Sequence, residues 1–205
     1  MSEVVDPVSN PRHPFGLPMG TVRGFLSLLI CSFFWIVLLS TTDPNVKPLL
    51  AHFFLLALVL LAFASSPGAE DKKEGGATLP WLMRVLFVGG SVAVVGYCLA
   101  TDPIQFSNRI TPKPDEFKQW WGPFMACMAG GFASGLFLRF VLGASNLAFQ
   151  AIRAWLSVVG MVMLTVELAM FVALLSSDND KYDAFFHTWQ AIEIAIVSGY
   201  FATRS

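Results

Sequence analysis

Two glutamates interrupt long apolar stretches. Glu167 lies in "LTVELAMF" (164–171) and Glu193 in "QAIEIAIV" (190–197). Each falls about halfway along a segment apolar enough to cross a bilayer. Burying a charge at the bilayer centre costs at least about 2.5–3.5 kcal/mol on insertion scales. Such a carboxyl must be protonated, paired or turned toward water. The two segments are consecutive, so an antiparallel crossing brings both acids to a similar depth. Two carboxyls close together in low dielectric cannot both ionise readily. That chemistry suits carrying a proton or holding a small cation.

Helical phase supplies candidate partners. Phe186, Trp189, Gln190, Glu193, Tyr200 and Arg204 fall on one stripe of the last segment. The stripe is polar and aromatic and should face protein or water. Gln190 and Tyr200 are therefore expected to hydrogen-bond the acids. On the preceding segment Arg153, Gly160, Met163, Glu167 and Phe171 share a stripe. Arg153 stands about 21 Å below Glu167 by helical rise, too far for a direct salt bridge. The plainer reading is that a membrane glutamate is protonated, hydrogen-bonded to a neighbour and serves only packing. The lack of a third acid, or of an evident polar partner in the second and third segments, favours that reading.

The elements that must position these groups follow from composition. The 205 residues are 55% hydrophobic and 13% charged, with 19 Phe and 6 Trp. A soluble domain carries about 25% charged residues. The deficit places the chain in the membrane class, as an all-α polytopic bundle. The net charge of −1 and the absence of a Lys/Arg block give no reason to expect nucleic acid. Three cysteines make no disulfide framework. Cys31 reads as a packed apolar residue, and pairing of Cys98 with Cys127 is left open. No zinc-ligand set, P-loop or nucleophile elbow occurs. No Ser, His and acid converge at one depth, so an enzyme is not expected.

Six spans are expected, each near the roughly 20 residues a crossing requires: about 19–41, 49–66, 81–101, 124–143, 152–177 and 184–204. The last is the most polar, and its alternative is a helix lying in the interface. With the N-terminus inside, eight cations face the cytoplasm (Arg12, Arg23, Lys72, Lys73, Arg84, Arg139, Arg153, Arg204) and five face out (Lys47, Arg109, Lys113, Lys118, Lys181). The bias puts both termini inside. Residues 1–18 hold four prolines and cannot form a regular helix. They form a cytoplasmic tail, disordered or extended on a partner, before a retained first anchor. Residues 19–205 make one membrane domain.

Among the connections, "TDPNVKP" reads as a tight turn and "SSPGAEDKKEGGATLP" as a flexible loop. "DPIQFSNRITPKPDEFKQWWGP" reads as a long loop whose Trp120 and Trp121 anchor at the outer headgroups, with a lid over a site as the alternative. Ser145 or Asn146 is positioned to cap a fifth helix that would run from about 146 to 177. Gly131-x-x-x-Gly135 in span four, Gly89 and Gly90 in span three and Gly160 in span five allow close helix approach. They suggest a tight hairpin of spans three and four, or an oligomer seam. Arg23, Arg84, Arg139 and Arg153 read as headgroup cations, with an inner pore mouth as the sharper alternative. His52 and His187 sit near the same ends of their segments, as an axial pair for b-type haem would. Bulky aromatics in "AHFFLL" and "FFHTWQ" stand where a haem needs small residues. They read as interfacial histidines, and no cofactor or metal is expected.

Two functional readings follow. One is an oligomeric channel or carrier for protons or small cations working through Glu167 and Glu193. The other is a non-catalytic accessory or scaffolding subunit of a larger membrane complex, with structural acids. The bilayer itself and further copies or other membrane subunits are the expected partners, and the bacterial inner membrane is the default location.

Overall fold

A computed structural model describes residues 21–39, 50–64, 78–111, 114–143, 146–174 and 183–203. The tail, the 42–48 turn, most of the 65–80 loop and Ser145 lie outside the described residues, as does the side chain of Arg84. Seven helices make up the described chain: α1 (Thr21–Leu39), α2 (Leu50–Ala64), α3 (Thr78–Thr101), α4 (Pro103–Arg109), α5 (Pro114–Leu142), α6 (Leu147–Leu174) and α7 (Asp183–Ala202). No strand occurs among them. Thr21–Leu39, Phe117–Leu142 and Leu147–Ala173 are each long and apolar enough to cross a membrane. Leu50–Leu61 and Val85–Thr101 are shorter apolar helical stretches. Large apolar side chains also point outward, among them Phe140 at 89% exposure and Trp155 at 69%. Hydrocarbon, not water, suits such a surface.

Contacts give the direction of each helix. Gly24, Trp35 and Leu38 of α1 meet Met83, Gly90 and Cys98 of α3 in rising order. Leu26 and Phe33 of α1 likewise meet Gly160 and Phe171 of α6. So α1, α3 and α6 run parallel. α7 runs against α6: Gly160 meets Val197 while Glu167 meets Gln190. α5 runs with α7, since Gly131 faces Ala195 and Gly135 faces Gly199. α7 is the hub, packed on α5, α6 and α2, while α3 leans on α1 at the rim. The core joins Leu26, Ile30 and Phe33 of α1, Leu55 and Leu58 of α2, Leu164 of α6, and Ile194 and Val197 of α7.

Two expectations change in detail. The long loop before span four is partly helical. The Asp102 carboxylate accepts from the Ile104 and Gln105 N–H groups, and Pro103 follows it, so a capped helix starts here and becomes α4. Arg109 at its end donates to the Val37 and Leu38 carbonyls, closing the C-terminus of α1. α5 then begins at Pro114 and continues through Pro123, so span four starts well before residue 124. α6 opens as expected on Asn146, whose side chain accepts from Ala148 N–H at 2.8 Å. Before it, Gly143 takes φ +74° just after α5, a left-handed helix stop that glycine accepts without strain.

The glycine seam joins different helices from those expected. A Cβ on Gly131 would strike the Ala195 carbonyl and Ser198 Oγ, and one on Gly135 would strike the Gly199 carbonyl. The seam therefore lies between α5 and α7 within one chain. Gly90 makes room for the Trp35 ring of α1, whereas Gly89 has nothing within 4 Å. Gly160 is in ordinary contact with Val197 and Leu26.

Candidate functional site: a buried carboxyl pair with two histidines

α6 and α7 turn both acids inward. Glu167 and Glu193 are each 0% exposed. Glu167 Oε1 accepts from Gln190 Nε2 at 2.7 Å. The same oxygen lies 3.4 Å from His52 Nε2 of α2, whose side chain is also fully buried. That is long for a hydrogen bond but close enough for an ion contact when the imidazole is protonated. The Gln190 carbonyl oxygen in turn lies 3.3 Å from His187 Nδ1, one helical turn earlier. The Glu193 carboxyl lies near enough to Glu167 for the two to interact electrostatically. No N–H or hydroxyl among the described residues donates to either Glu193 oxygen.

Aromatic rings wall this cluster. The His52 ring stacks on Phe33 with centroids 4.0 Å apart, and Phe34 and Phe171 meet it edge-on. The His187 ring lies 4.7 Å from Trp120, with Phe124 beyond. Trp120 is thus turned inward, and Trp121, 44% exposed, is left at the surface beside Phe54. Toward the other end of the bundle, Val197, Gly160 and Leu26 pack together in an apolar layer. The cluster is made of two acids, two imidazoles and an amide, enclosed by aromatic and aliphatic side chains.

The structure brings Glu167, Glu193 and Gln190 together and leaves Tyr200 apart. Tyr200 is two turns beyond Glu193, about 10 Å along the helix, against Phe201, and its hydroxyl has no hydrogen-bond partner among the described residues. Both histidines belong to the site, although their sequence context reads as interfacial. The signal for them was depth. α6 begins at Leu147, so Glu167 is 20 residues from its start and 7 from its end at Leu174. It therefore lies level with His52, close to the start of α2. Arg139 and Arg153 lie at the opposite end, near the C-terminus of α5 and the start of α6, and Arg23 lies near the start of α1. Cys31, Cys98 and Cys127 are free thiols, and Cys98 Sγ donates to the Leu38 carbonyl instead. Among the described residues no group of three or more His, Cys, Asp or Glu is arranged to hold a metal ion. An open groove of about 500 Å³ runs over the α5–α7 seam past Gly130, Ser134 and Ala191. None of the acids or histidines lines it.

No family model, curated protein or solved structure matches the chain.

Proposed function

We propose that this chain is a six-span membrane protein that carries protons or small cations through the Glu167–Glu193 pair. α1, α2, α3, α5, α6 and α7 are its crossings, and α4 is a surface helix that clasps the end of α1. The alternating helix directions and the hub position of α7, whose 20 residues rise about 30 Å, support that topology over an α7 lying in the interface. The charge bias supports cytoplasmic termini, and a bacterial inner membrane remains the expected setting. One observation carries the function: a fully buried carboxylate has Gln190 and His52 at one oxygen, and a second fully buried carboxyl near it meets no donor among the described residues. Packing alone needs no second acid there, and a buried acid pair disfavours the doubly ionised state.

The test is proton and cation flux into liposomes holding the purified chain, beside Glu167→Gln and Glu193→Gln, with orientation and oligomer size checked in each preparation. Loss of flux on the order of 100-fold in well-assembled variants is expected, the scale of a lost proton-transfer group. Equal flux in wild type and variants, or none in either, would remove the transport reading. A second reading has its own support. The open face of α3, with Gly89 and Gly96 each free of neighbours within 4 Å, suits an accessory subunit or a homo-oligomer docking through that face. It expects co-purifying chains, or assembly lost by substitutions on α3.

A further inference from the structure

We propose that the two acids have unequal roles: Glu193 bears the exchangeable proton and Glu167 is the fixed acceptor, a division set by where the buried donors lie. The inference rests on the transport reading above and assigns its atoms.

A glutamine amide has a donor end and an acceptor end. The Gln190 donor end points at Glu167 Oε1, 2.7 Å away. Its acceptor end is then turned to His187 Nδ1 at 3.3 Å, which satisfies it when that nitrogen carries the proton. Were the amide reversed, its oxygen would face Glu167, and only a protonated Glu167 could meet it. With the proton on Nδ1, His187 holds the amide with its N–H end toward Glu167. His187 is a positioning residue, acting through Gln190.

Partner counting gives the same direction. As a carboxylate, Glu167 accepts from Gln190 Nε2 and has His52 Nε2 3.4 Å from the same oxygen. As a carboxylate, Glu193 would gather at most one donor, a Glu167 hydroxyl, because no other described group donates to it. The rings packed on the network carry no charge: Phe33 and Phe34 from α1, Phe171 from α6, and Trp120 and Phe124 from α5. A buried charge is placed where donors are most numerous. The O–H bond thus stands on Glu193. Breaking it and forming O–H on Glu167 leaves the pair at one negative charge. A second proton neutralises the pair, and its release restores the charge.

The test is infrared spectroscopy of the purified protein in bilayers, reading the deuterium-sensitive carbonyl stretch of a buried protonated carboxyl. Wild type is expected to show the band, Glu193→Gln to lose it and Glu167→Gln to keep it. Absence of the band in wild type, or its survival in Glu193→Gln and loss in Glu167→Gln, would overturn the assignment. His187 gives an independent arm should either acid variant fail to fold. His187→Asn offers an amide N–H in place of Nδ1–H and is expected to keep the band position. His187→Leu frees the Gln190 amide and is expected to shift it, and an unmoved band would remove the role given to His187. The band does not depend on transport. Expected bands without flux would leave the assignment standing and end the transport reading. Flux with reversed bands would do the opposite.

Discussion

Along the first half of α7, His187, Gln190 and Glu193 reach their neighbours through polar side chains. Along its second half, Ala195 and Gly199 offer bare backbone to Gly131 and Gly135 of α5. The same helix is held by side-chain chemistry at one end and by backbone contact at the other. The consequences differ. A glycine seam tolerates no added atom, because the Ala195 and Gly199 carbonyls that oppose it are main chain and cannot swing away. The acid centre tolerates a change of atoms provided that donors and acceptors still match. Seam substitutions should therefore remove the fold, and isosteric substitutions at the centre should remove activity and leave the fold.

The largest effect is expected from Gly131→Leu. Its side chain would occupy the space of the Ala195 carbonyl and Ser198 Oγ, and overpacking of this kind costs about 1–3 kcal/mol, sometimes more. α7 would lose its seat on α5, and the acid centre would lose its alignment. Gel filtration in detergent should show aggregation or a sharp fall in the recovered folded species. A Gly131→Leu protein that elutes and melts like wild type would break the comparison, since α7 would then be held by its polar half alone.

Next in size is the contrast of Glu167→Leu with Glu167→Gln. Leucine removes the acceptor and leaves Gln190 Nε2 buried without a partner, at about 1–3 kcal/mol. Glutamine keeps the shape and an acceptor oxygen. Thermal unfolding should place Glu167→Leu clearly below wild type and Glu167→Gln near it, while both lose flux. Equal melting of the two would mean that the network adds nothing to stability.

The apolar segments, the stripe carrying Gln190 and Glu193 and the Asn146 cap were legible from the chain, because periodicity and capping are local properties. The partner of each face was not. Periodicity shows that Gly131 and Gly135 share a face, yet only tertiary packing sets α7 rather than α3 against it. His52 was hidden because its neighbours are all bulky and apolar. Such a context fits the headgroup region as well as the aromatic wall it forms with Phe33. Its link to Glu167 depends on relative depth: the expected span of about 152–177 puts Glu167 about halfway along, whereas α6 ends at Leu174, only seven residues beyond it. α4 was missed because proline density argues for loop, although Asp102-Pro103 is also a cap followed by a first helical residue.

His52→Phe sharpens the acid side of the comparison at smaller scale. The ring survives to stack on Phe33, while the Nε2 contact to Glu167 is lost. Stability should change by less than about 1.5 kcal/mol, as for a volume-conserving core exchange, and flux should fall clearly more than the melting temperature. Unchanged flux would make His52 a packing residue and confine the chemistry to α6 and α7.

The smallest and most local effect comes from neighbouring glycines on α3. A Cβ on Gly90 would meet the Trp35 ring at 2.6 Å, and that ring also donates from its indole nitrogen to Ser91 at 3.3 Å. A Cβ on Gly89 would meet nothing. Gly90→Ala should push the indole away from Ser91 and lower the melting temperature. Gly89→Ala should leave it unchanged or raise it, since alanine favours a helix over glycine by about 0.5–1 kcal/mol. The pair separates glycine as a contact from glycine as mere composition, which is what the α5–α7 seam requires at Gly131 and Gly135. Should Gly89→Ala instead dissociate a purified oligomer, the open face of α3 would prove to be a second seam, formed between chains and made of the same backbone contact as the first.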